Sequence, residues 1–84
     1  MKISFKLFAM LTDYLPAQAR AGNAIELEVP ADATIGQVIE RFALPPKLVH
    51  LVLVNGVYVP PPQRLSHPLK EGDTLAIWPP IAGG

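Results

Sequence analysis

"HPLKEGDTLAIWPPIAGG", residues 67–84, carries a turn, a strand, a stop and a tail in one continuous run. Glu71-Gly72-Asp73 supplies the turn. In Thr74 to Trp78 the alternation sets Leu75 and Ile77 on one face, which is the period of a strand. Pro79-Pro80 ends it, since proline has no N–H to give to a ladder. Beyond the prolines come Ile81, Ala82, Gly83 and Gly84. At ordinary usage of about 7% glycine, a terminal Gly-Gly arises by chance in roughly one chain in two hundred.

Upstream, "HLVLVNGVYV", residues 50–59, sets two apolar runs around Asn55-Gly56, the dipeptide best suited to the positive backbone angles of a tight hairpin. Pro60-Pro61-Pro62 closes the second arm, which must be short and lie at a sheet edge. Before it, Ile35, Val38, Ile39 and Phe42 recur at the spacing of one helical face, with Gln37, Glu40 and Arg41 elsewhere. Thr34 with Gln37 has the pattern of a capping box, and Pro45-Pro46 prevents continuation past Leu44. Two half-buried strands precede this helix. Lys2 to Leu7 sets Ile3, Phe5 and Leu7 inward, and Ala24 to Val29 turns Glu26 and Glu28 outward, where they can face Lys2 and Lys6 across a hairpin pair. Between them "TDYLPAQARAGN" reads as a loop, with room for a short turn after Phe8. The order is strand, strand, helix, two short strands, final strand: an α+β domain with a mixed sheet of four to five strands covered by one main helix.

Composition bounds what such a domain can do. At 84 residues it is one domain, too small to enclose a deep substrate cavity. Half the residues are hydrophobic, 17% are charged and the formal net charge is zero, so the basic excess of a nucleic-acid binder is missing. Without cysteine there is no disulfide, thiolate nucleophile or zinc-thiolate site. His50 suits the start of a strand and His67, before Pro68, suits a turn; neither is assigned to a metal or to catalysis. Lys6 splits the N-terminal apolar run and Thr12-Asp13 end it, unlike a signal peptide, and nothing approaches a membrane-spanning length. The expectation is a cytoplasmic protein that binds neither nucleic acid nor membrane. No nucleophile with a base, and no acid-base pair, can be assembled from these residues, so a stand-alone enzyme is not expected.

The element order resembles the ubiquitin-like β-grasp, and "HPLKEGDTLAIWPPIAGG" resembles the end of the MoaD/ThiS sulfur-carrier family. "KLFAMLTDYLP" is similar to that family's first strand and following turn, so the resemblance covers essentially the whole chain. The Pro-Pro-x-Ala-Gly-Gly ending is most similar to the small subunit of molybdopterin synthase, whereas "VLVNGVYVP" fits the thiamin branch as well. Thr12-Asp13 stands where the family often has Arg-Glu. The resemblance implies a β-grasp domain over residues 1–80 and a flexible tail over 81–84. It further implies that an E1-like adenylating enzyme of MoeB/ThiF type joins the Gly84 carboxylate to AMP, using ATP, and that a sulfurtransferase donor supplies sulfur to make a thiocarboxylate. The recipient is then a molybdopterin synthase large subunit of MoaE type, or a thiazole synthase. Ile81, Ala82 and Gly83 would thread into the partner, Gly83 and Gly84 being slim for want of a Cβ. No cofactor or metal bound to the chain itself is implied.

Strand parity sets Phe8, Tyr58 and Trp78 opposite the inward residues of their own strands. If the first and last strands run parallel, as in the fold the chain resembles, Phe8 and Trp78 meet at the base of the tail. With Tyr58 and Pro80 they would form a docking patch for a larger partner. Alternatively, residues 9–23 fold over the pair and bury it within the monomer. A second functional class also stands: a ubiquitin-like modifier or binding module, whose tail becomes attached to lysines or merely docks.

Overall fold

The computed structural model describes residues 1–80. Ile81, Ala82, Gly83 and Gly84, to which the tail was assigned, lie outside the described residues. Five strands form one mixed sheet: β1 (Lys2–Leu7), β2 (Ala24–Glu28), β3 (Leu51–Val54), β4 (Val57–Tyr58) and β5 (Thr74–Trp78). Their spatial order is β2-β1-β5-β3-β4. Only β1 and β5 pair in parallel; the other three pairings are antiparallel. The last strand therefore lies at the centre of the sheet, and the chain beyond it leaves from a fully paired strand.

Helix α1 (Ile35–Arg41) begins as its sequence dictates. Thr34 accepts from the Gln37 N–H at 3.2 Å, and the Gln37 side chain accepts from the Thr34 N–H at 3.0 Å, which completes the capping box. Ile35 and Val38 are buried against the sheet, and Phe42 meets Phe5 with ring centroids 4.8 Å apart. The inward residues of the strands, Phe5, Leu7, Val52, Leu75 and Ile77 among them, are wholly buried on the same side. Helix and sheet thus share one core.

Three expectations are corrected. The stretch read as a loop holds two 3-10 helices, Ala9–Tyr14 and Ala17–Ala19, and Leu11 and Leu15 enter the core. Their N–H groups bond three residues or so back, to Phe8 and Thr12, while Arg20 donates to the carbonyls of Leu15 and Asp13. Two buried leucines stabilise local turns too short to show a helical period. Secondly, the proline run that ends β4 also starts a helical turn, α2 (Pro61–Arg64), because proline in the first turn sacrifices no hydrogen bond. Thirdly, Lys6 pairs with Ala24 rather than with a glutamate. Only Lys2 meets one, at 3.7 Å from Glu26, and both side chains are so exposed that the pair contributes little.

Among the described residues no helix is long and apolar enough to cross a membrane.

Candidate functional site

The face of the sheet turned away from α1 is built by the alternate residues. On β5 these are Thr74, Ala76 and Trp78; on β3 they are Leu51 and Leu53. Leu51 pairs with Trp78, Leu53 with Ala76, and Tyr58 of β4 with Leu53. On β1 the same face carries Ser4, Lys6 and, one residue past the strand, Phe8. The face is divided. Its half near β3, β4 and the end of β5 is apolar, and its half near β2 carries Lys2, Lys6, Glu26 and Glu28.

Parallel pairing of β1 with β5 sets Leu7 beside Ile77, so Phe8 falls beside Trp78. The two rings stack, with centroids 4.0 Å apart and planes inclined by 3°. The Phe8 N–H donates to the Ile77 carbonyl at 3.2 Å, and the His50 N–H donates to the Trp78 carbonyl at 3.0 Å. Backbone on both sides therefore holds the end of β5, Ile77 and Trp78, in register up to the prolines. Pro79 is buried and Pro80 exposed. Each stacked ring is half-buried, since each covers a face of the other, so the pair is neither core nor open surface.

Tyr58 stands apart from this pair. It lies two strands away, is 52% exposed, and carries the Arg64 guanidinium 5.9 Å above its ring. Of the four residues assigned to partner binding, the structure brings Phe8 and Trp78 together, sets Pro80 two residues past the end of β5 and leaves Tyr58 at the sheet edge. Leu51, Leu53 and Ala76 complete the apolar half and were not singled out from the sequence. The alternation in Leu51–Val54 would have found the two leucines, but an all-apolar run hides which residues point inward. Arg64 was missed for another reason. It is a buried arginine held by carbonyls of Val59, Val49 and His50, which no local pattern announces.

A model of the ThiS family matches residues 14–84. No curated protein gives a significant match. Among solved structures, SAMP1 from Haloferax volcanii, the small archaeal modifier protein 1, is 27% identical over all of both chains with a TM-score of 0.70. A putative molybdopterin converting factor subunit 1 from Pyrococcus furiosus is 24% identical, with 96% of this chain and 99% of that one covered and a TM-score of 0.69. A chain from the complex of subunits 1 and 2 of the molybdopterin-converting factor of Helicobacter pylori is 18% identical over all of both chains, with a TM-score of 0.62. At those identities the last two speak to the fold alone.

Proposed function

Because this chain belongs to the ThiS family and has a ubiquitin-like fold, we propose that it is a sulfur carrier whose working group is the carboxylate of Gly84. A carboxylate is a poor electrophile at neutral pH. One of its oxygens attacks the α-phosphorus of ATP in an E1-like activating enzyme, pyrophosphate leaves, and an acyl-adenylate results. Sulfide displaces AMP directly; a persulfide does so too, and a second thiol then reduces its S–S bond. Either route leaves a thiocarboxylate on Gly84. That sulfur attacks an electrophilic precursor held by a larger subunit, and water restores the carboxylate. The chain itself supplies the arm and its mounting rather than a catalytic residue.

The family match, which runs through residue 84, carries this reading. The mounting supports it: β5 is central, its end is bonded to Phe8 at Ile77 and to His50 at Trp78, and Pro79-Pro80 stiffens the root of the arm so that less entropy is lost when the tip enters a partner. We assign the acceptor step to a molybdopterin synthase of which this chain is the small subunit, with Phe8, Trp78, Tyr58 and Pro80 against the large subunit. A chain of the Helicobacter pylori complex of subunits 1 and 2 of the molybdopterin-converting factor has the same fold. A thiazole synthase is the alternative recipient.

The likeness to a modifier protein from Haloferax volcanii favours a second reading, in which the same adenylate is captured by lysine amines of other proteins. Both readings need a free Gly84 carboxylate. Deleting Gly84, or extending the chain with a C-terminal tag, should abolish sulfur loading by the activating enzyme while leaving the circular dichroism spectrum and melting point unchanged. Loading of an intact tagged chain would sink the mechanism.

A further inference from the structure

We propose that a groove beside β4 is a second docking site, distinct from the tail and adjoining the outer sheet face at Leu51 and Tyr58, for an extended partner segment with an acidic side chain next to an aliphatic one. The groove has a volume of about 450 Å³ and opens between α1, the start of β3, β4 and α2. Ile39, Val49, Leu51, Tyr58 and Leu65 make it apolar, and Arg64 lies in its wall. Leu65 is 76% exposed and Tyr58 52%, so large apolar side chains stand open to solvent at its rim.

Arg64 sets the chemistry of the occupant. Its residue is only 7% exposed, yet every acceptor it uses is a neutral backbone carbonyl: Val59 from Nε at 2.9 Å, His50 from Nη2 at 3.0 Å and Val49 from Nη1 at 3.3 Å. A guanidinium has five N–H donors, of which these bonds take three. Among the described residues no carboxylate pairs with it, and no acidic side chain lines the groove. Lys47, exposed on the neighbouring 3-10 turn Pro46–Leu48, adds charge of the same sign. A buried cation with unused donors in an apolar wall is complementary to one carboxylate flanked by aliphatic groups. A free inorganic anion would satisfy the guanidinium and leave Ile39 and Leu65 in water. An extended peptide contacts both, and β4 is the terminal strand of the sheet with both of its residues, Val57 and Tyr58, exposed.

The test uses the whole chain, labelled with nitrogen-15, and the hexapeptide Ser-Leu-Asp-Leu-Glu-Ser capped at both ends. Saturable shifts are expected at the amides of Val49, His50, Leu51, Tyr58 and Leu65 and at Arg64 Nε. The analogue with Asn and Gln in place of the acids should bind about fivefold more weakly, as loss of an ion pair requires. Leu65→Ser, at an exposed position that leaves the fold intact, should weaken binding by a similar factor without any change at Arg64. The chain lacking Gly84 should bind equally well, which separates this site from the carrier reading. The proposal is overturned by no saturable shift at millimolar peptide, by equal binding of the neutral analogue, by shifts centred on Phe8 and Trp78, or by self-association through these residues without peptide.

Discussion

Gly36 lies in the first turn of α1, where the chain after α2 passes closest to the helix. A Cβ built there would stand 2.8 Å from the Leu65 carbonyl oxygen and 2.9 Å from its Cα, both backbone atoms that cannot step aside. Alanine in place of glycine should stabilise a helix by up to about 1 kcal/mol. Forcing a methyl group into filled space costs about 1–3 kcal/mol. The clash wins, so Gly36→Ala should lower stability by about 1 kcal/mol or more in urea unfolding. A variant as stable as the parent, or more so, would show that α1 and the Arg64–Leu65 segment do not pack this closely. The sequence carries no trace of this contact, because it joins residues 29 positions apart. The capping box at Thr34 and Gln37 was readable because both partners sit within one turn.

Between elements, the hairpin turn and the turn before β5 are tied together. Asn55 and Gly56 take φ of 52° and 82°, as Asn-Gly in a tight hairpin requires. The Asn55 side-chain N–H donates to Asp73 Oδ1 at 2.8 Å, Asp73 Oδ2 accepts from the Lys70 N–H at 2.8 Å, and Asn55 Oδ1 accepts from the Thr74 N–H at 2.8 Å. Asp73 is buried. Asp73→Ala strands the Lys70 N–H and the Asn55 amide, and should cost about 1–3 kcal/mol. Equilibrium unfolding checks it; an unchanged midpoint would mean that water replaces the carboxylate without loss. Each turn was legible alone, from Asn55-Gly56 and from Glu71-Gly72-Asp73, but their bond was not. The same divide explains the two 3-10 helices and α2. Leu11, Leu15 and Arg64 are ordered by partners distant in the chain, whereas the strands and α1 announce themselves through periods of two and 3.6.

At the scale of the molecule, a parallel pairing of the first and last strands sets the end of β5 beside Phe8, forming an aromatic stack on an apolar half-sheet. The meeting of Phe8 with Trp78 followed from element order together with the β-grasp resemblance; the half-burial of both rings did not, since it depends on how they lie against one another. Trp78→Ala should weaken the complex with a larger subunit at least tenfold, as truncation of an aromatic anchor costs about 2 kcal/mol or more. The monomer should lose the stack, about 0.5–1.5 kcal/mol, and little else. Binding and thermal unfolding of the same variant decide this, because unchanged affinity with a large loss of stability would assign the ring to the monomer's own packing. Whether Gly84 carries sulfur is read from the intact mass of the chain. After incubation with an E1-like activating enzyme, ATP and a sulfur donor, the mass should shift by one oxygen exchanged for one sulfur, and the shift should be lost when Gly84 is deleted. An unshifted mass while the enzyme consumes ATP on this chain, or adducts with lysines of other proteins and no thiocarboxylate, would contradict it.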